Sequence, residues 1–162
     1  MSQWHPTYAM RMARVLVTGM SGAGKSTLLA EVSRRGYQTV DTDYGGWELA
    51  DSRWDEPRMS ALLAKHATIA VSGTATNQGL FYDRFEHVLY LHVPLDVLLD
   101  RVRNRSNNPY GKTEDQQADI VRYVSEVEPL IRRTATLELD GLQPIRSLAD
   151  QVEVCLRSSS QA

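Results

Sequence analysis

Residues 14–27 read Arg-Val-Leu-Val-Thr-Gly-Met-Ser-Gly-Ala-Gly-Lys-Ser-Thr, a short apolar run that leads directly into a glycine-rich loop. The loop fits the pattern Gly-x-x-x-x-Gly-Lys-Ser/Thr at every fixed position. Glycine lets the backbone curl tightly enough to direct several N–H groups at one anion, and the start of a helix adds its positive end. Because a β-branched run precedes the loop and an amphipathic pattern follows it, we interpret it as a triphosphate-binding loop and not as a chance glycine-rich turn.

The polar side chains of this loop have separate expected roles. Lys25 is expected to reach the β- and γ-phosphates, and the Ser26 hydroxyl is expected to bind Mg²⁺. The predicted nucleotide-binding residues of the loop are Gly19, Ser21, Gly22, Ala23, Gly24, Lys25, Ser26 and Thr27. A nucleoside triphosphate and Mg²⁺ are therefore the expected cofactors.

Outside the loop, short apolar runs alternate with helical patterns, which indicates a parallel sheet flanked by helices. The predicted strands are residues 14–18, 37–41, 68–72, 88–93 and 136–139. The predicted helices are residues 25–35 and 57–66, two that open at Pro94 and Thr113, and residues 144–156. The runs are continuous rather than alternating, as in strands that are covered on both faces. We expect one three-layer α/β domain over residues 13–162, preceded by a loose leader over residues 1–12.

The composition argues against several classes of protein. The 162 residues carry 18 basic and 20 acidic side chains, and their formal net charge of -2 is not the basic footprint of a general nucleic-acid binder. The longest apolar runs are strand-sized and too short to span a bilayer. Cys155 is the only cysteine, which excludes an intramolecular disulfide and fits a reducing compartment. We expect a cytoplasmic protein without a nucleic-acid or membrane partner, in which Cys155 is a packed helix residue.

From Gly19 onward, the order of elements resembles that of the shikimate, gluconate and adenylate kinase group of small phosphate-loop (P-loop) kinases. The chain also resembles uncharacterised kinase-like proteins that are labelled shikimate kinase or AAA-family ATPase. The resemblance implies a five-stranded sheet of order 2-3-1-4-5 and a mobile lid over residues 105–113. It also implies transfer of the γ-phosphoryl group of ATP to a small acceptor. A GTPase switch would need a base-reading Asn-Lys-x-Asp, which the comparable stretch, residues 107–112, does not supply.

The second predicted strand ends in Val40-Asp41-Thr42-Asp43, where shikimate kinases carry a similar Asp-Ser/Thr-Asp. The resemblance implies one carboxylate near the metal and the other at the acceptor hydroxyl. A strand end opposite the phosphate loop is where an acceptor must lie for in-line transfer. We assign Asp41 to Mg²⁺ and Asp43 to the acceptor hydroxyl, as its base or orienter. The alternative is that both are turn and cap residues, as aspartates often are.

Residues 100–105 read Asp-Arg-Val-Arg-Asn-Arg, and their Asp-Arg-x-x-x-Arg spacing resembles the adenylate kinase motif that enters the mobile lid. In that motif the first arginine covers the adenine and the second meets phosphates, which suits a planar side chain that stacks and binds oxyanions bidentately. A lysine in the lid would help to neutralise the γ-phosphate. The alternatives are a solvated charged helix face and a plain surface lysine. The predicted catalytic residues are Lys25, Asp43 and Arg105, and the further nucleotide contacts are Arg101 and Lys112.

The acceptor side departs from the named kinases. The third strand ends in Ser72, where many P-loop proteins have an aspartate that organises Mg²⁺ through water. Residues 73–78 read Gly-Thr-Ala-Thr-Asn-Gln, without the glycine run of shikimate kinases and without the arginine of adenylate kinases. Arg58, at the start of the second predicted helix, is the remaining candidate for an acceptor-side cation, and the alternative is a helix-surface arginine that binds no ligand. We assign Arg58, Gly73 and Asn77 to the acceptor together with Asp43.

These patterns predict ATP- and Mg²⁺-dependent phosphoryl transfer to a small hydroxylated metabolite. A nucleoside or nucleoside-monophosphate kinase is one alternative, because Arg101 and Arg105 would suit it equally. A nucleotide-binding regulatory module with slow hydrolysis is another, because Ser72 replaces the usual aspartate.

Overall fold

Five runs of mainly β-branched and leucine residues form the strands of one sheet in the computed structural model, which describes residues 12–106 and 109–158. The strands are β1 (Arg14–Thr18), β2 (Thr39–Asp41), β3 (Ile69–Ser72), β4 (His87–His92) and β5 (Leu137–Asp140). The helices are α1 (Lys25–Arg34), α2 (Glu56–Lys65), α3 (Leu95–Asn104), α4 (Glu114–Thr134) and α5 (Ile145–Leu156), with a 3₁₀ helix at Gln78–Arg84. Of the predicted leader, only Met12 lies among the described residues, and Asn107 and Asn108 of the predicted lid lie outside them.

All four strand pairs are parallel, and the strand order is β2-β3-β1-β4-β5. The predicted fold class and strand order are therefore confirmed. In a parallel sheet the carboxyl ends of the strands meet at one edge, where ligands of such folds bind. Here that edge brings together the ends of β1, β2 and β3, because Ser72 is in register with both Val17 and Asp41.

Two apolar clusters, one on each face of the sheet, explain why the strands read as continuous hydrophobic runs. Val15 and Val17 point to the face that packs against α1 and α5, whereas Leu16 points to the opposite face. On that opposite face, Leu16 meets Met59 and Leu63 of α2. Successive strand residues alternate between faces, so a strand that is covered on both sides needs an apolar residue at every position.

The connection from α3 to α4 ends in a hydrogen-bonded anchor. Thr113 and Gln116 form the capping box at the start of α4. The Gln116 side-chain oxygen also accepts hydrogen bonds from the backbone N–H groups of Gly111 and Lys112. The last residues of the predicted lid segment are thus tied to the first turn of α4.

Cys155 lies buried in α5 against the α1 side of the core. Burial alone raises the pKa of its thiol, so the group stays protonated and packs as a small apolar side chain. Across residues 12–106 and 109–158, none of the helices combines the length and the apolar character that a bilayer crossing requires.

Candidate active site

The glycine-rich loop between β1 and α1 folds as its sequence predicts. Gly22 and Gly24 have positive backbone φ angles of 86° and 99°, a conformation that favours glycine. A Cβ atom at Gly22 would lie 2.8 Å from a methyl group of Val102, so α3 packs directly against the loop. Gly24 is the N-cap of α1, and the free N–H groups of the first turn therefore face the loop.

Lys25 lies across the inside of this loop. Its Nζ donates hydrogen bonds to the backbone carbonyls of Gly19 (2.8 Å) and Met20 (3.0 Å), and the residue is only 8% exposed. Desolvation lowers the pKa of the ammonium group, while the charges of Asp43 and Asp41 oppose that change. The loop therefore holds a desolvated lysine beside two carboxylates.

Ser26 and Asp41 are brought into contact at the edge of the sheet. The Ser26 hydroxyl donates to Asp41 Oδ2 at 2.5 Å, and Asp41 Oδ1 accepts a hydrogen bond from the backbone N–H of Asp43 at 3.1 Å. Asp41 is thus a turn residue as well as the partner of Ser26. The Ser72 hydroxyl is fully buried near this pair and has no hydrogen-bond partner among the described residues.

These three oxygen groups fit a magnesium ion. Mg²⁺ prefers oxygen ligands and is usually bound by one or two protein groups together with phosphate oxygens and water. Ser26 and Asp41 supply a hydroxyl and a carboxylate at the start of α1 and the end of β2. Among residues 12–106 and 109–158, no group of three or more His, Cys, Asp or Glu side chains is arranged to hold a metal without the help of a ligand.

Asp43 follows β2 and stands where two clefts meet. The first cleft, of about 390 Å³, runs along the phosphate loop, and the second, of about 630 Å³, lies on the other side of Lys25. Ser21, Lys25 and Asp43 line both clefts. Although Asp43 is exposed, the cleft walls desolvate its carboxylate and raise its pKa, an effect that Lys25 opposes and Asp41 reinforces.

The first cleft is bounded by α3 on one side and by the start of α5 on the other. Arg101 donates from Nη1 to the loop carbonyls of Gly22 and Ala23, both at 3.3 Å. Arg105 donates to the Ser21 hydroxyl at 3.2 Å and to the Tyr110 carbonyl at 2.9 Å. The i, i+4 spacing predicted for these two arginines therefore places both guanidinium groups on the loop, as neighbours on one flank of α3.

Lys112 lies away from the phosphate loop in this structure, so its contact with the γ-phosphate in a closed lid stays a prediction. Its Nζ donates to the backbone carbonyls of Arg103 (2.7 Å) and Arg105 (2.6 Å), at the carboxyl end of α3. A helix ends in unpaired carbonyl groups with partial negative charge, which attract a nearby ammonium group. Lys112 is a helix-capping side chain in this structure and lines neither cleft.

Three of the predicted acceptor residues also lie outside the walls of both clefts. Arg58 donates to the Gly45 carbonyl at 2.7 Å and its guanidinium lies 3.8 Å from the centre of the Trp47 ring. Asn77 accepts from the backbone N–H of Trp54 and donates to its carbonyl, so it fastens two loops together. Gly73 packs so closely that a Cβ atom would lie 1.8 Å from the Thr42 hydroxyl. Each of the three has a structural role that its sequence neighbours do not reveal.

The second cleft is lined by residues that sequence reasoning did not assign. Glu48 and Ser52 lie on the β2–α2 connection, Thr74 follows β3, and Tyr123 lies on α4. Thr74 Oγ1 donates to the Gly19 carbonyl at 2.6 Å, which attaches this wall to the phosphate loop. Thr74 belongs to the polar segment 73–78, which is a signal that could have found it, whereas no motif surrounds Glu48, Ser52 or Tyr123.

Comparison with known proteins identifies the family to which this chain belongs. Residues 15–122 match the family model described as AAA domain. A shikimate kinase from Aromatoleum aromaticum is 30% identical over 149 residues, covering 78% of this chain and 84% of the relative. A shikimate kinase from Nitrosospira multiformis is 27% identical over 168 residues, covering 91% of this chain and 86% of the relative.

Solved structures share the fold. Shikimate kinase from Bacteroides thetaiotaomicron matches with a TM-score of 0.67 and 22% identity, covering 89% of this chain and 98% of that one. Deoxyadenosine kinase from M. mycoides with bound dATP matches with a TM-score of 0.61 and 16% identity, covering 91% of this chain and 100% of that one. The chain therefore belongs to the AAA domain family, and it is a P-loop kinase of the group that includes the shikimate kinases.

Proposed function

We propose that this kinase transfers the γ-phosphoryl group of ATP to a hydroxyl group of a small metabolite, with the help of Mg²⁺. The observation that carries the proposal is the junction of the two clefts at Lys25 and Asp43. Phosphoryl transfer needs a donor and an acceptor in line across the γ-phosphate, with positive charge beside it. A loop-lined cleft and a second cleft that share a lysine and a carboxylate satisfy that requirement.

The first cleft is the proposed nucleotide site. The backbone N–H groups of residues 22–27 and the start of α1 would bind the phosphates, with Lys25 at the β- and γ-phosphates. Arg101 and Arg105 lie on the open side of the loop, where one can cover the base and the other can meet phosphate oxygens. The hydrogen bonds that Lys25 now makes to Gly19 and Met20 would be shared with or exchanged for phosphate oxygens.

Ser26 and Asp41 are the proposed magnesium ligands, and Ser72 would hold a water molecule of the ion's shell. The fully buried Ser72 hydroxyl, which lacks a partner among the described residues, supports its role as a donor to such a water. When bound, Mg²⁺ neutralises negative charge on the β- and γ-phosphates. The Ser26 hydroxyl already points at the Asp41 carboxylate, so the two ligands are aligned by the fold itself.

The second cleft is the proposed acceptor site, with Asp43 at its inner end. The acceptor oxygen forms a bond to the γ-phosphorus while the bond from that phosphorus to the bridging oxygen of ADP breaks, and the hydroxyl proton passes to Asp43. The raised pKa of Asp43 supports this assignment, since a more basic carboxylate accepts a proton more readily. Lys25 and Arg105 would stabilise the charge that spreads over the transferring group.

A nucleoside kinase is a second candidate, and the aromatic wall of the second cleft favours it. Tyr110 and Tyr123 both line this cleft, and aromatic rings provide stacking surfaces for bases. The structural match to a deoxyadenosine kinase shows only that this fold accommodates such chemistry elsewhere. A slowly hydrolysing regulatory module is the third possibility carried by the sequence, and the following measurement separates all three.

The test is release of ADP from ATP and Mg²⁺, first alone and then with pooled sugars, polyols, hydroxy acids, nucleosides and nucleotides. Stimulation of at least tenfold by one pool is the result expected of a kinase, and the identity of that pool distinguishes a nucleoside acceptor from others. Hydrolysis that no pool changes, or ATP binding without turnover, would favour the regulatory module.

Lys25→Ala is the loss-of-function variant for this measurement, and Lys65→Ala is its matched control. We expect Lys25→Ala to abolish ADP release and nucleotide binding, because it removes the ammonium group that lies inside the loop against the Gly19 and Met20 carbonyls. Lys65→Ala removes an exposed lysine at the end of α2, outside both clefts, and should behave as the unchanged protein. An unaltered circular dichroism spectrum must accompany each variant.

A further inference from the structure

The charges on the wall of the second cleft define what kind of acceptor can enter it. Its charged lining residues are Lys25, Asp43 and Glu48, and Lys25 is held by the carbonyls of the phosphate loop. The acceptor end of the cleft therefore presents two carboxylates and no free cation among the described residues. A carboxylate or phosphate on the acceptor would lie beside these groups without an arginine to pair with it.

The basic side chains near this cleft are engaged elsewhere. Arg53 pairs with Glu56 at 2.6 Å and Asp51 at 3.7 Å, and Arg58 lies over Trp47. Arg105 lines the first cleft, and its guanidinium donates to the hydroxyl of Ser21, which lines both clefts, and to the carbonyl of Tyr110, which lines the second. An anionic acceptor would have to pull one of them away from its present partners.

The rest of the lining suits a compound rich in hydroxyl groups. Hydroxyl side chains line the cleft at Ser52, Thr74, Thr76 and Tyr123, and they can donate and accept hydrogen bonds. Burial and the nearby Glu48 charge raise the pKa of Tyr123, so its phenol stays protonated and able to donate. Met20, Ile120 and Val124 add an apolar floor for the carbon skeleton.

Glu48 is held over the cleft by a structured loop. It forms an isolated antiparallel bridge with Trp54, and the Ser52 carbonyl accepts hydrogen bonds from the backbone N–H and the hydroxyl of Thr76. Ser52 has a φ angle of 61°, an uncommon conformation for a residue other than glycine. A loop that keeps such a conformation so close to a binding cleft is consistent with a functional reason for presenting Glu48 there.

We propose that the acceptor of this kinase is a hydroxyl compound that carries no carboxylate or phosphate group, and that Glu48 selects against such groups. The inference rests on the proposed kinase function and deepens its acceptor half. Desolvation and the neighbouring Asp43 raise the pKa of Glu48, and this outweighs the opposing effects of a hydrogen bond with the Ser52 side chain and of the Lys25 charge. A protonated amine on the acceptor would supply a partner of opposite charge, so amine-bearing and uncharged compounds are the favoured class.

The experiment compares acceptors that differ in charge but share a skeleton. Glucosamine, glucose and gluconate form one set, adenosine and its monophosphate a second, and the methyl ester of shikimate and shikimate itself a third. ADP release with ATP and Mg²⁺ is expected to have a kcat/KM at least tenfold higher for an uncharged or amine-bearing member than for the anionic member of its set. Preference for the anionic member overturns the inference while the kinase function stands. If none of these compounds stimulates ADP release by protein that binds ATP, the proposed function is contradicted and the inference with it.

Two substitutions test the role of Glu48 directly. Glu48→Lys should raise kcat/KM for the anionic member at least tenfold and lower it for the amine-bearing member, whereas Glu48→Gln should reduce the discrimination between them. Glu126→Gln removes an exposed carboxylate of α4 that lines neither cleft, and should leave both values within twofold. An unchanged charge preference in folded Glu48→Lys protein assigns the selection to another residue and overturns the role of Glu48.

Discussion

Asp43 combines an exposed position with a raised pKa, because the walls of both clefts remove part of the water around its carboxylate. The charge of Lys25 moderates this effect and that of Asp41 adds to it. In the proposed reaction Asp43 takes the proton of the acceptor hydroxyl, and general base catalysis of this kind contributes about 10²- to 10⁴-fold in rate. The residue therefore matters for the chemical step more than for binding.

We predict that Asp43→Asn lowers kcat by about 10²- to 10⁴-fold and leaves KM for ATP within about threefold, because the amide cannot accept the proton. Steady-state ADP release with the acceptor found in the screen measures both constants. Asp83→Asn, which changes an exposed carboxylate of the 3₁₀ helix, is the matched control. An Asp43→Asn protein with normal kcat would remove Asp43 from the chemical step.

The pH dependence gives the same residue a second test. A base must be deprotonated, so kcat/KM should fall as the pH drops through the pKa of Asp43. Since that pKa is raised above the ordinary value of 3.8, the acid limb should lie at higher pH than for an unperturbed aspartate. The limb should disappear from the residual activity of Asp43→Asn. An acid limb of kcat/KM at or below the ordinary aspartate value of 3.8 would contradict the assignment of Asp43 as the base.

In the proposed function, helix α3 would contact the nucleotide through one flank only. Arg101 and Arg105 contact the phosphate loop from that flank, whereas Arg103 points away and is exposed. At the carboxyl end of the same helix, Lys112 bonds to two backbone carbonyls. The element thus separates binding residues from a capping residue that sequence reasoning had grouped together.

We predict that Arg101→Ala raises KM for ATP about tenfold, the size expected when a hydrogen bond to a charged group is lost. Arg103→Ala, a matched change one helix flank away, should leave KM within twofold. Lys112→Met should also leave KM and kcat within threefold, while lowering the free energy of unfolding in urea by about 0.3–1 kcal/mol through loss of the helix cap. A tenfold loss of kcat in Lys112→Met would support its predicted role at the γ-phosphate.

At the scale of the whole molecule, nucleotide binding is coupled to folding. The proposed nucleotide site draws on β1, α1, α3 and the start of α5, which exist together only in the folded chain. A ligand that binds only the folded state at 100 times its Kd stabilises that state by about 2.7 kcal/mol. For a domain of about 150 residues this corresponds to a rise in Tm of about 5–10 °C.

We therefore predict that ATP with Mg²⁺ raises Tm by about 5–10 °C in a thermal denaturation experiment at saturating nucleotide. EDTA should reduce the rise, because Ser26 and Asp41 would lose the ion that they share with the phosphates. Lys25→Ala should show no rise although its Tm without nucleotide remains measurable. If ATP raised Tm equally with and without Mg²⁺, the proposed role of Ser26 and Asp41 as magnesium ligands in nucleotide binding would be contradicted.

The fold was predictable because its signals are local. Each strand of the sheet coincides with an apolar run, and the alternation of strands and helices predicts that the strands are parallel. The strand order was implied by the family resemblance and is confirmed. The proximity of Ser26 and Asp41 was predictable for a related reason, since the end of β2 and the start of α1 meet at the same edge of a parallel sheet. Boundaries were less accurate, as in β2, which was predicted at residues 37–41 and spans only Thr39–Asp41, although the Gln38 carbonyl still accepts a hydrogen bond from the Ala70 N–H of β3.

The sequence by itself determined the phosphate loop and the sheet, because both are written in contiguous residues whose chemistry depends little on distant neighbours. Only the tertiary structure decided the second cleft. The Arg58 guanidinium packs on Trp47, and the Lys112 ammonium binds carbonyl groups at the end of α3. A long charged side chain binds whichever partner the fold brings within reach. Glu48 and Tyr123 line the second cleft from separate elements, so no spacing in the chain could have revealed that they share it.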